Sequence, residues 1–160
     1  MPEIAVEHIH PLLVHFPLAL WPVATLFLLL SFLPRLEGLR LSSTLMGLLG
    51  CGIGYLALEY GEKAAKIVGP IICDNQLLIE HNDQAHTTFI IMTVVWGVPF
   101  LYEGVLRNLL KLATIPKWPT VVLLFGALLG CVFLVSSAHK GFQLTYFEAA
   151  AVRGVQKTCP

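Results

Sequence analysis

Four long stretches of apolar residues, separated by shorter polar segments, dominate the pattern of the chain. They cover residues 11–33, 41–59, 84–106 and 118–139. At the helical rise of about 1.5 Å per residue, each stretch is roughly 28 to 35 Å long, which matches the hydrocarbon core of a bilayer. The pattern therefore predicts an all-α integral membrane protein, a single domain built as a four-helix bundle.

Composition agrees with this assignment. Hydrophobic residues make up 56% of the chain and charged residues only 12%. A soluble domain of this size cannot bury that much apolar surface, whereas lipid tails solvate it directly. The formal net charge is zero, so no nucleic-acid partner is indicated.

The distribution of basic residues predicts the orientation. Four spans place both termini on one side of the membrane and two short loops, residues 34–40 and 103–117, on the other. Those loops carry the bases Arg35, Arg40, Arg107, Lys111 and Lys117. Because bases in short loops favour the cytoplasmic side, we expect both termini on the periplasmic side of a bacterial inner membrane.

Cysteine placement suggests one cross-link. Cys73 and Cys159 both fall on the predicted periplasmic side, where an oxidising compartment favours a disulfide between them. Two free thiols are the alternative. Cys51 and Cys131 lie in the middle of predicted spans, where small packing residues are expected.

The histidines are the most informative polar residues, because all six fall at one end of the predicted bundle. Helices one and three begin at the end where helix four finishes. The residues are His8, His10, His15, His81, His86 and His139. Ionisable groups inside a span are costly and usually face the bundle interior with a partner, so this end is the candidate site.

One imidazole on each of two facing helices is an arrangement that can hold a b-type haem. The hydropathy profile places His15 and His86 inside their spans, so this pair is the first choice, with His139 as a rival ligand to either. His10 and His81 are secondary metal-ligand candidates, expected near the haem propionates, water or a second metal. Five residues turn about 140° around a helix, so only one member of each pair, His10–His15 and His81–His86, should face the core.

Helix two carries closely spaced glycines, Gly47, Gly50 and Gly54. Small residues at this spacing allow close approach of helix backbones. They would also allow a flat macrocycle to lie against the helix, so both interpretations stay open.

Residues 10–20, His-Pro-Leu-Leu-Val-His-Phe-Pro-Leu-Ala-Leu, resemble the opening motif of a bacterial membrane-protein family known as domain of unknown function 2231. The resemblance extends over the four-span layout. Members carry a histidine early in the third span, which corresponds to His86. A His-Gly-like end to the fourth span is matched loosely by His139-Lys140-Gly141. Some members are fused to Rieske-type or cytochrome c domains, so the resemblance implies haem and electron transfer.

Taken together, these features predict a small cytochrome-like subunit that transfers electrons through one haem b and has no independent enzyme activity. Its expected partners are membrane lipid, a larger membrane complex, and a periplasmic cytochrome c or a quinone. One alternative is an accessory subunit of a respiratory or photosynthetic complex, with histidines that are structural or ligate a chlorophyll-type pigment. A further alternative is a copper or zinc site.

Overall fold

Four helices form the described part of the protein, which in this computed structural model comprises residues 6–102 and 117–148. They are α1 (Val6–Leu30), α2 (Leu39–Val68), α3 (Asn75–Pro99) and α4 (Lys117–Tyr146). All four are long and apolar enough to cross a membrane, and no described residue lies in a strand. The predicted all-α fold with four spans is confirmed. The last residues of the predicted third span, most of the loop 103–117 and Cys159 lie outside the described residues.

Inward-facing residues recur every three or four positions along each helix, the spacing typical of helices that pack nearly antiparallel in a bundle. Along α2 they are Ser43, Gly47, Gly50, Gly54, Ala57, Ala64 and Val68. The matching residues of α1 are Pro17, Trp21, Ala24 and Leu28. Helix α2 therefore presents an inner face made almost entirely of small residues.

Two indole rings occupy the space that this small-residue face leaves. The Trp21 ring lies against Gly50, where an added Cβ atom would come within 2.6 Å of the indole nitrogen. Trp96 lies against Gly47 in the same way, and an added Cβ atom there would clash with its ring. The Trp21 Nε1–H donates a hydrogen bond to the Gly47 carbonyl oxygen at 3.2 Å. These glycines therefore serve close packing of tryptophan on helix α2.

The outer surface of the bundle is apolar. Phe125 and Val132 on α4 are 70% and 66% exposed, and Ile90 on α3 is 62% exposed. Exposed apolar surface on this scale would drive a soluble protein to associate, whereas lipid accepts it. The outer faces of the helices are therefore suited to contact lipid.

The helices continue beyond the predicted spans at the histidine end. Helix α2 runs on past residue 59 to Val68, α4 runs past residue 139 to Tyr146, and α3 starts at Asn75 rather than residue 84. The side chain of Asp74 caps α3 by accepting a hydrogen bond from the Leu77 backbone N–H at 2.8 Å. With 30 residues each, α2 and α4 are about 45 Å long, longer than a hydrocarbon core of about 30 Å.

A small apolar cluster closes this end of the bundle. Val68, Ile72 and Leu144 are buried together, with Leu77 and Leu78 packed against them. Beside this cluster, the Cys73 backbone N–H donates to the Glu148 carboxylate at 2.9 Å, which ties the loop between α2 and α3 to the end of α4.

Candidate functional site: two facing histidines in a bundle cavity

A cavity of about 520 Å³ lies inside the histidine end of the bundle and is lined by all four helices. Its volume is within the range of about 300 to 1,000 Å³ that is usual for ligand and cofactor sites. Much of the wall consists of glycine and alanine, namely Gly54, Ala57, Gly61, Ala64, Ala65, Ala85, Ala138 and Gly141. The polar groups that face it include His10 and His81.

His10 reaches the cavity from the second turn of α1. Its Nδ1 atom lies 2.7 Å from the carbonyl oxygen of Ala57 on α2. Since a carbonyl can only accept, the ring donates from Nδ1, which leaves Nε2 of the neutral ring unprotonated. Gly61 provides the space, because a Cβ atom there would lie 2.9 Å from His10 Nδ1.

His81 is held in the same way from the opposite side of the cavity, by a hydrogen bond to a backbone carbonyl. Its Nδ1 atom lies 2.9 Å from the carbonyl oxygen of Ser137 on α4, so this ring also keeps Nε2 unprotonated when neutral. A Cβ atom on Gly141 would lie 3.0 Å from His81 Cε1. Each histidine is thus fixed by a backbone carbonyl and accommodated by a glycine.

The His10 and His81 rings are neighbours in the lining of the cavity, with centroids 6.2 Å apart and planes at 78°, an edge-on arrangement. An imidazole nitrogen lies about 1.1 Å from its ring centre, and metal–nitrogen bonds are about 2.0 to 2.1 Å long. Two imidazoles on opposite sides of one metal ion therefore have centroids about 6.3 Å apart. The observed centroid separation of 6.2 Å matches this value.

The other predicted histidines lie around this pair. His15 is exposed yet lines the cavity, and its Nδ1 atom lies 2.5 Å from the Pro11 carbonyl oxygen. His86 does not line the cavity; its side chain is 41% exposed and lies 3.4 Å from the Glu62 carboxylate. His139 is exposed on α4, beside Gln143 at 3.2 Å. The ligand roles predicted for His15, His86 and His139 remain predictions.

The structure brings together His10 and His81, two residues that the sequence favoured only as secondary metal candidates and not as a pair. Hydropathy placed His81 before the third span, because the first two turns of α3 are polar. Both residues could have been found from the spacing of the core positions along each helix. In α1 the spacing of Val14, Pro17 and Trp21, continued toward the N-terminus, reaches His10. The same spacing through Ala85, Thr88 and Met92 extends back to His81.

Two further sequence predictions concern ligands and cysteines. Among the described residues, no group of three or more His, Cys, Asp or Glu side chains converges as a metal site. Cys73 is disulfide-bonded, while Cys51 and Cys131 are free thiols. The predicted partner of Cys73 is Cys159, which lies outside the described residues, so the pairing stays a prediction.

Comparison with known proteins gives a family. No curated protein and no solved structure matches the chain significantly. A family model described as predicted membrane protein (DUF2231) matches residues 7–154, nearly the whole chain. The match agrees with the resemblance found from residues 10–20 and with the four membrane-spanning helices. The chain belongs to the domain of unknown function 2231 family of predicted membrane proteins.

Proposed function

We propose that the protein is a small membrane electron-transfer subunit that holds one b-type haem between His10 and His81. The observation that carries the proposal is the facing pair of imidazoles, 6.2 Å apart inside a cavity of about 520 Å³. Bound haem would supply one-electron exchange at its iron. The residues of the chain would bind the iron, orient the ring and exclude water.

The number of ligands favours a macrocycle over a bare metal ion. A zinc site needs three or four protein ligands, and no such group is found among the described residues. A haem iron already has four nitrogen ligands from the porphyrin and needs only two axial ones. Two histidines on facing helices provide that number.

The hydrogen bonds of the pair suit metal binding. Histidine ligands usually donate their second ring N–H to a carbonyl or carboxylate, which fixes the tautomer and the ring orientation. His10 and His81 both meet this requirement, with Ala57 and Ser137 as acceptors. The glycines beside them, Gly61 and Gly141, make room for the two imidazole rings.

The site lies at one end of the bundle, so a single haem would exchange electrons there rather than conduct them across the membrane. The partner would be a periplasmic cytochrome c, a quinone, or a larger complex in the bacterial inner membrane, with both termini of this chain on the periplasmic side. The positively charged loop 34–40 at the opposite end supports this orientation.

The test is a visible spectrum of the purified protein, oxidised and then reduced. We expect a Soret band, with sharp α and β bands after reduction. Replacing His10 or His81 by alanine should abolish or strongly shift these bands, because either change removes an axial ligand. His139→Ala, an exposed histidine at the same end, is the matched control and should leave the spectrum unchanged.

Two results would count against this assignment. Bands that survive in His10→Ala and His81→Ala but vanish in His15→Ala and His86→Ala would return the ligands to the pair predicted from hydropathy. A protein with only ultraviolet absorption, expressed with ample haem supply, would contradict the proposed function itself.

A further inference from the structure

The residues that line the cavity reach the outer surface of the bundle on two neighbouring helices, α1 and α4. Of the four seams between neighbouring helices, the one between α1 and α4 has the loosest packing. Three residues that line the cavity are also exposed, His15 on α1 and Phe142 and Tyr146 on α4. The mouth of the cavity is therefore formed by His15 on one side and by these aromatic rings on the other.

The approach to this mouth is apolar. Leu12 and Phe16, the neighbours of His15 on the outer face of α1, are 59% and 49% exposed. These residues belong to a helix apolar enough to span the membrane. A molecule that enters here consequently comes from the lipid phase and must carry an apolar body.

His15 sets the chemistry that the mouth can recognise. Its Nδ1–H donates to the Pro11 carbonyl, so Nε2 of the neutral ring can only accept a hydrogen bond. A matching head group must therefore offer a donor, such as a hydroxyl. The Phe142 ring, 4.4 Å from the Tyr146 ring between centroids, offers an aromatic face for a flat head group.

We propose that this mouth binds the head group of a membrane quinol, with one quinol hydroxyl donating to His15 Nε2 and the ring packing against Phe142. The choice of a redox-active lipid rests on the proposed function, because the facing histidines that would hold the haem line the same cavity. In this arrangement His15 is a binding residue for the partner and not an iron ligand.

Calorimetry on the full-length protein in lipid nanodiscs tests the proposal. A short-tailed benzoquinol is titrated without oxygen and after reduction by dithionite, so that binding is measured without electron transfer. We expect saturable binding of one quinol per protein, above the heat measured with empty nanodiscs. The dimethyl ether of the same quinol should bind about tenfold more weakly, because it has lost the donor.

Substitutions at His15 make the test specific. His15→Leu should weaken quinol binding about tenfold, whereas His15→Gln, which keeps an acceptor oxygen, should recover most of it. His139→Leu removes an exposed histidine from the same end and should bind quinol like the unchanged protein. The haem spectrum of His15→Leu should be unaltered.

Failure of this proposal can be told apart from failure of the haem proposal. Equal binding of quinol by His15→Leu and the unchanged protein, or equal binding of quinol and its ether, overturns the quinol site. So does loss of the haem spectrum in His15→Leu, which would make His15 an iron ligand. Saturable, His15-dependent quinol binding in a protein without haem bands would support the quinol site and overturn the haem.

Discussion

At the scale of single residues, two glycines decide where the imidazoles lie. Gly61 faces His10 and Gly141 faces His81, and a Cβ atom at either position would come within about 3 Å of the ring. Both rings donate to backbone carbonyls. Their positions are therefore set by helix backbones, which move less than side chains do.

Gly61→Ala should lower haem affinity about tenfold, because the added methyl displaces His10 from the Ala57 carbonyl. Haem per protein and affinity in haem titration measure the effect. Gly52→Ala on the same helix is the matched control, because nothing lies within 4 Å of its added Cβ atom. Both variants also gain helix propensity, because alanine favours a helix over glycine by about 1 kcal/mol. Equal haem loss in both variants would therefore contradict a specific role of Gly61.

The residue scale is also where sequence reasoning reached its limit. The gathering of histidines at one end could be predicted from span order alone. The choice between His10 and His15 depends on which residue continues the core spacing of α1, and apolar content does not reveal this. His81 required knowing that α3 begins at Asn75, within a segment too polar to be predicted as part of a span.

At the scale of helices, the polar start of α3 depends on its cap. The Asp74 carboxylate accepts from the Leu77 N–H, and the first two turns that follow carry His81 into the cavity. Asp74→Ala should reduce the free energy of unfolding by about 1 kcal/mol, the usual contribution of an N-cap. Thermal unfolding in detergent measures it.

Asp83→Ala is the control for the cap. Asp83 is exposed two turns further along α3, and its backbone carbonyl, rather than its side chain, accepts from Thr87. Its replacement should leave the melting temperature nearly unchanged. A similar decrease in both variants would show that lost negative charge, and not the cap, causes the effect.

The loop between α2 and α3 carries the second prediction at this scale. Cys73 is disulfide-bonded, and the sequence predicts Cys159 as its partner. Digestion without reductant should release one linked pair of peptides that contain Cys73 and Cys159, while Cys51 and Cys131 react with maleimide after unfolding. A linked peptide that contains Cys51 or Cys131 would refute the pairing.

At the scale of the whole molecule, apolar length alone predicted the fold, because a bilayer demands a continuous helix for each span. Hydropathy did not predict how far the helices continue beyond the apolar stretches. Their polar ends fold because they pack on one another: Val68 and Leu144 meet over the cavity, and the Lys140 ammonium pairs with Glu80 at 2.6 Å. Such contacts between distant segments have no signature in a local window of sequence.

Orientation is the prediction that belongs to this scale. A C-terminal alkaline phosphatase fusion should be active and the matching green fluorescent protein fusion dark, because the short basic loops favour the cytoplasm. Replacing Arg35 and Arg40 by glutamine should reduce the phosphatase signal. The opposite pattern in the unchanged chain would place the histidine end in the cytoplasm, where the Cys73 disulfide would be unexpected.

The small-residue face of α2 has a consequence for how the protein tolerates substitution. Core mutations usually destabilise by removing atoms and leaving voids. From Gly47 to Gly61 the inward positions of α2 have almost no atoms to lose. Substitutions on this side of the bundle therefore seldom leave a void. Nearly every change there instead adds volume where rings already lie, and such overpacking is also destabilising. A saturation screen would therefore distinguish the inward positions of α2 from those of α1 and α3 by the size of the side chains that they tolerate. Hydrophobicity alone would not separate the two groups of positions.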